Sequence, residues 1–124
     1  PRRTEEQSLQ RVCVQWLKAC VPGPRFGGPA ITAVNPIPAK SKAAAGISKA
    51  MGLRAGVHDF VMCWKGRFIG IEIKPPKGVL SAEQKVFHED VTLAGGLSHT
   101  VRSLEELRDL FAVLGVPTRE SKAA

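Results

Sequence analysis

A predicted β-hairpin is the feature that most narrowly limits the fold of this chain. The segments 60–64 and 67–74 are rich in β-branched and aromatic residues, and only Lys65-Gly66 separates them. Two such segments joined by two residues predict antiparallel strands with a tight turn, in which residue 62 pairs with residue 69.

In that register Asp59, just before the first strand, lies opposite Glu72 in the second. Opposed residues have Cβ atoms about 4.5–5.5 Å apart, and like charges there repel each other. A shared proton or a bound cation would offset the repulsion, and Mg²⁺ or Mn²⁺ suits hard carboxylate oxygens. A three-residue loop would break this pairing, and Asp59 would then only cap a turn beside Gly56.

Alternation along the second strand puts Ile69, Ile71 and Ile73 on one face and Gly70, Glu72 and Lys74 on the other. The first face is that of a hydrophobic core. Two interpretations of the second face stay open at this point. Glu72 and Lys74 form either an exposed ion pair of little energetic value or part of a functional site.

The chain is expected to form one domain over residues 1–124, with a core over 4–114 and a tail over 115–124. Before the hairpin, the patterns predict a helix to residue 20 with Thr4 and Gln7 as a capping box, a strand over 30–34 and a short helix near 42–51. After the hairpin, they predict a helix opened by the capping box of Ser81 and Gln84, a strand over 97–101 and a helix capped by Ser103. In the helix after Ser81, we expect Val86, Phe87, Val91 and Leu93 or Ala94 to face inward. The order α-β-β-β-α-β-α predicts an α/β fold with a small mixed central sheet flanked by helices.

Charge is unevenly distributed along the 124 residues. The chain has 18 Lys and Arg residues against 11 Asp and Glu residues, a net charge of +7, and residues 1–54 carry this entire excess. A basic surface predicts a polyanionic partner, most often nucleic acid. Charge alone does not separate an enzyme from a passive binding protein.

Targeting and redox features predict a cytoplasmic protein without a membrane partner. No apolar run reaches the roughly 20 residues of a membrane span, and the first residues lack the apolar segment of a signal peptide. The cysteines Cys13, Cys20 and Cys63 are odd in number and do not have metal-site spacing, so we expect reduced thiols.

The first helix offers a third carboxylate. Glu6 lies on the same side as Leu9 and Cys13, whereas Glu5 flanks the opposite edge of the apolar stripe. Helical geometry does not choose between these two acids, and both could simply complement the helix dipole.

Three segments together resemble a known family. The motifs G-x-x-x-G-x-x-D in residues 52–59, E-x-K in residues 72–74 and S-x-x-Q in residues 81–84 follow one another in this order. The chain resembles the VRR-NUC domain, the virus-type replication-repair branch of the PD-(D/E)XK nuclease superfamily, over about residues 5–110. The resemblance implies a restriction-endonuclease-like core and hydrolysis of phosphodiester bonds with Mg²⁺ or Mn²⁺ and no organic cofactor.

The resemblance also implies roles for individual residues. Asp59 and Glu72 match the two metal-binding acids, and Lys74 matches the lysine that orients or activates the attacking water. The backbone carbonyl of Ile73 would be a further metal ligand, and Glu6 fits the first-helix glutamate better than Glu5 does.

Two further positions carry alternatives. Gln84 matches a glutamine near the catalytic site of this branch, but it is also the N3 residue of a capping box. His58 stands where the superfamily usually has proline, so it either contacts the scissile phosphate or is an ordinary loop residue.

The resemblance gives the basic residues before Asp59 a function. These residues, placed to hold DNA phosphates, are Lys40, Lys42, Lys49 and Arg54. Small stand-alone members of this branch occur chiefly in bacteriophages, and some resemble Holliday-junction resolvases. That likeness predicts a homodimeric endonuclease for branched DNA in the host cytoplasm. A nuclease for flaps or nicked duplex and a catalytically inactive DNA-binding protein are the alternatives.

Overall fold

A four-stranded mixed sheet lies at the centre of the computed structural model, which describes residues 2–34 and 40–120. Its strands, in spatial order, are β1 (Ala30–Ala33), β2 (Phe60–Trp64), β3 (Arg67–Ile73) and β4 (Leu97–Val101). The pairs β1–β2 and β2–β3 are antiparallel, whereas β3 and β4 run parallel. The helices are α1 (Arg2–Cys20), α2 (Lys42–Ala50), α3 (Ala82–Leu93) and α4 (Leu104–Leu114), with a 3₁₀ turn over Pro24–Phe26.

The predicted hairpin and its register are confirmed. Lys65 and Gly66 have φ values of 51° and 75°, the left-handed backbone that a two-residue type I′ turn requires at both positions. Phe60 pairs with Ile71 and Met62 with Ile69. The ladder therefore brings the start of β2 beside the end of β3.

The two faces of the sheet are covered by different helices. The face that carries the three isoleucines of β3 packs against α1 and α4 and forms the core. Its fully or almost fully buried members are Cys13, Trp16, Leu17, Phe60, Met62, Ile69, Ile71, Ile73, Val101, Leu107, Phe111 and Val116. On the opposite face, side chains of α3 contact Glu72, so both faces of β3 are buried near its end. This double coverage positions the site described below.

The α/β class and the flanking helices agree with the sequence prediction, and the short helix near residues 42–51 is present as α2. Ser81 and Gln84 form the expected capping box, and Ser103 caps α4. The capping box at Thr4 is wrong, because α1 already begins at Arg2. Residues 121–124 of the predicted tail lie outside the described residues. Within residues 2–34 and 40–120, no helix has the length and apolar character needed to cross a membrane.

The predicted inward face of α3 is partly wrong. Val86 is 56% exposed and Leu93 is 77% exposed, whereas His88 and Val91 are buried. The buried side of α3 is the side that carries His88, one turn after Gln84. Because histidine is polar, the pattern of apolar residues did not include it, and the predicted inward face was therefore displaced.

Candidate metal centre

Three carboxylates from three elements converge at one end of the sheet. Glu6 comes from the first turns of α1, Asp59 immediately precedes β2, and Glu72 lies near the end of β3. Each offers one oxygen, and these oxygens all lie within 4.8 Å of one another. Glu5 is exposed, so the structure brings Glu6 rather than Glu5 to the cluster. The Nζ atom of Lys74 lies 3.6 Å from Oε1 of Glu6.

Backbone hydrogen bonds fix Asp59 at the junction of two strands. The backbone N–H of Ile73 donates to Oδ2 of Asp59 at 2.7 Å, and the N–H of Val34 donates to the carbonyl of Asp59 at 2.8 Å. One carboxylate oxygen of Asp59 is thereby anchored to β3. The role of the Ile73 carbonyl as a ligand stays a prediction.

Glu72 is only 1% exposed, which makes the interpretation as an exposed ion pair with Lys74 wrong. The pKa of Glu72 is raised to about 9. Burial is the main cause, the charges of Asp59 and Glu6 and a hydrogen bond with Asp59 also raise it, and Lys74 opposes the increase. Without a cation, the folded protein therefore keeps a proton on Glu72 at neutral pH.

The cluster has the donor set of a divalent cation site. All three ligand groups are hard carboxylate oxygens, which Mg²⁺ and Mn²⁺ prefer. Oε1 of Glu72 is buried and has no hydrogen-bond partner among the described residues. A cation would replace the shared proton that the repulsion between Asp59 and Glu72 otherwise requires.

Gln84 makes a hydrogen bond in the helix cap and another to a carboxylate of the cluster. Its Oε1 accepts a hydrogen bond from the backbone N–H of Ser81 at 2.8 Å, which completes the capping box. Its Nε2 donates to Oε2 of Glu72 at 3.0 Å. The helix cap and the contact with the site are thus made by the two ends of one amide.

His58 does not have the position expected of a residue that binds DNA. It is 0% exposed, and its Nε2 lies 2.6 Å from Oγ of Ser98 in β4. Burial, and to a lesser extent the nearby His88 and His99, lower the pKa of His58 to about 4. A neutral side chain without exposed surface makes no phosphate contact. The expectation that His58 contacts DNA is therefore wrong.

Gly70 provides the space that His58 occupies, and this gives a testable prediction. A Cβ atom at position 70 would lie 2.4 Å from Nδ1 of His58. We expect Gly70→Ala to lower the free energy of unfolding by about 1–3 kcal/mol, as overpacking in a core does, measured by urea denaturation. Gly46→Ala in α2 is the control, because no described atom outside its own helix lies within 4 Å of the added methyl group. Equal stability of the two variants would contradict the expected overlap.

His88 is a site residue that the sequence analysis missed. It is 8% exposed, and its Nε2 lies 3.4 Å from Oε1 of Glu72. Burial is the main cause of the lowered pKa of His88. Its spacing of four residues from Gln84 was the available signal, because residues at i and i+4 share one face of a helix.

A cleft reaches from Asp59, one carboxylate of the cluster, to part of the basic segment. Lys49, Arg54, Asp59 and Gln84 all line this cleft, whose volume is about 390 Å³. Arg54 forms an ion pair with Asp90, which partly neutralises it. The other expected DNA contacts, Lys40 and Lys42, are exposed and lie outside the lining of the cleft.

The four-stranded sheet and its flanking helices form a mixed α/β fold. A solved structure named "VRR_NUC domain protein" has the same fold, with a TM-score of 0.66 and 21% sequence identity. The likeness covers 86% of this chain and 84% of that chain. The chain matches no known family profile and no curated protein.

Proposed function

We propose that the protein is a metal-dependent endonuclease that hydrolyses phosphodiester bonds in DNA. The convergence of Glu6, Asp59 and Glu72 beside Lys74 is the observation that carries this proposal. A passive DNA-binding protein has no use for a buried glutamate with a raised pKa behind a basic cleft, because burying such a group costs stability. The VRR_NUC neighbour supports the proposal through its fold.

The side chains of the site have different roles in the proposed reaction. Asp59, Glu72 and Glu6 hold Mg²⁺ or Mn²⁺, with the carbonyl of Ile73 as a further ligand. The bound cation supplies positive charge to the phosphate and lowers the pKa of a water molecule. The ammonium group of Lys74 stabilises the negative charge that develops during attack.

Gln84 restrains Glu72 in a defined orientation through the hydrogen bond from its amide. A restrained ligand loses less conformational freedom when the cation and the phosphate bind.

The basic surface provides the affinity for DNA. Lys49 and Arg54 line the cleft, and Lys40 and Lys42 extend the positive charge beyond it. Such contacts recognise the phosphate backbone without reading base sequence. Each neutralised phosphate gives a log–log salt slope of about −0.9 on duplex DNA.

We propose branched DNA, such as a four-way junction, as the preferred substrate, and a homodimer as the active form. A junction presents two symmetric strands for cleavage, and a two-fold dimer places one active site on each of them. Flaps and nicked duplex are the alternative substrates.

The test compares a four-way junction, a flap, a nicked duplex and a linear duplex in Mg²⁺, Mn²⁺ or EDTA. We expect metal-dependent cleavage that is fastest on the junction. Asp59→Asn should reduce the rate about a thousandfold, because several kcal/mol of charge stabilisation are lost and each ~1.4 kcal/mol is tenfold. Asp109→Asn, on the exposed side of α4, is the matched control and should cleave normally. If the protein binds these substrates but cleaves none, it is the catalytically inactive binding protein instead.

A further inference from the structure

We propose that His88 is a positioning residue that orients Glu72 for metal binding, and that His58 holds His88 in place. This inference rests on the proposed function, because it takes Glu72 as a metal ligand. It assigns a role to two buried histidines that the proposed reaction does not otherwise use.

The two oxygens of Glu72 face two side chains from the same face of α3. Gln84 donates to Oε2 at 3.0 Å, and Nε2 of His88 lies 3.4 Å from Oε1. Neither Oε1 of Glu72 nor Nε2 of His88 has a hydrogen-bond partner among the described residues. Because a buried polar atom without a partner is costly, these two atoms are complementary when Glu72 is ionised and His88 carries its proton on Nε2.

His88 is itself held by a stacked ring. The His58 and His88 rings lie 3.9 Å apart between centroids, with an angle of 12° between their planes. His58 is fixed by Ser98 at 2.6 Å and packs directly over Gly70. A short chain of contacts therefore runs from β4 through the two rings to the carboxylate of Glu72.

His58, which supports His88, and Asp59, a proposed metal ligand, are consecutive residues. The same backbone segment therefore places the carboxylate of Asp59 in the cluster and the His58 ring against His88. Both histidines are at least nine-tenths buried, which excludes them from direct contact with a DNA substrate. Hydrogen-bonded partners of metal ligands typically contribute 10–100-fold to metal affinity, and we assign His88 a contribution of this kind.

The experiment measures Mn²⁺ binding by electron paramagnetic resonance and by calorimetry in the full chain. Three variants separate the hydrogen-bond donor of His88 from its stacked ring. In His88→Gln the amide reaches the position of Nε2, whereas in His88→Asn the amide is too short to do so. His88→Phe keeps a ring for stacking but has no donor. We expect Kd for Mn²⁺ to rise about 10–100-fold in the Asn and Phe variants and to stay within about threefold of wild type in the Gln variant. If His88 only stabilised the fold, the flexible amide of His88→Gln would not restore the affinity for Mn²⁺.

The outcomes distinguish this inference from the function on which it rests. If wild type binds Mn²⁺ and His88→Asn binds it equally well, the role of His88 is wrong and the metal centre remains. Equal loss in the Gln and Asn variants also overturns it, because the donor would then not matter. The comparison of these two polar variants stands even if His88→Phe fails to fold. If wild type binds no Mn²⁺, both the metal centre and this inference are wrong.

Discussion

Replacement of Glu72 by glutamine is expected to abolish detectable Mn²⁺ binding and to reduce metal-dependent cleavage about a thousandfold or more. Glutamine keeps the shape of the side chain but lacks the charge that a divalent cation requires. Calorimetry with Mn²⁺ and a cleavage assay on a four-way junction measure the two effects. Glu89→Gln is the matched control, because Glu89 is an exposed residue of the same helix that carries Gln84 and lies outside the lining of the cleft.

The same variant is expected to stabilise the metal-free protein at alkaline pH. The pKa of Glu72 is raised from 4.5 to about 9, so between these values the folded state keeps a proton that the unfolded state loses. Folding stability therefore falls as pH rises through this window, by at most about 1.4 kcal/mol per pH unit. Glu72→Gln removes this loss, so in EDTA its unfolding midpoint should exceed that of wild type at pH 8 and approach it below pH 4.5.

Two results would contradict the assignment of Glu72. Cleavage that is unchanged in Glu72→Gln would exclude Glu72 as a required ligand. A metal-free wild type whose stability does not decline between pH 6.5 and pH 9 would show that Glu72 is ionised without a cation. The lowered pKa of His58, about 4, acts only below pH 6.5 and is common to both proteins, so it does not affect the comparison.

Replacement of Lys74 by methionine is expected to lower kcat about 10²–10³-fold, the typical effect of removing one group that stabilises charge in the transition state. Metal binding should be retained or slightly tighter, because the variant removes a positive charge 3.6 Å from Glu6. Single-turnover cleavage at saturating Mn²⁺ measures the first effect, and a Mn²⁺ titration measures the second.

Lys85→Met, at an exposed position of α3, controls for the loss of one positive charge in Lys74→Met. It should change only the salt dependence of DNA binding, by no more than one phosphate contact. A Lys74→Met variant that cleaves at the wild-type rate would assign Lys74 to structure alone, through its ion pair with Glu6.

Much of the fold could be predicted from local patterns. Lys65-Gly66 specified a turn whose geometry sets the hairpin register, and that register brought Asp59 beside Glu72. The cap of α3 could also be predicted, because Ser81 and Gln84, three positions apart, each accept a hydrogen bond from the other's backbone N–H. These features depend on contacts between residues that are close along the chain or joined by one tight turn.

Other features could not be predicted because they depend on packing between distant segments. Helical periodicity alone does not choose between Glu5 and Glu6, and in the structure Glu6 joins the cluster whereas Glu5 is exposed. Arg54 was expected to be free for DNA, but it pairs with Asp90, 36 positions along the chain. His58 was expected either to contact the scissile phosphate or to be an ordinary loop residue, yet Gly70 of β3 and Ser98 of β4 enclose it.

The amino-acid sequence by itself determined the strands, the turn between β2 and β3, the caps of α3 and α4 and the pairing that opposes two carboxylates, because each of these results from short-range backbone geometry. Only the tertiary structure decided that Glu72 is buried and that His88 lies against it. Burial and the removal of solvent are properties of the packed helix and sheet together. Those properties raise the pKa of Glu72 and turn two opposed acids into a candidate metal centre.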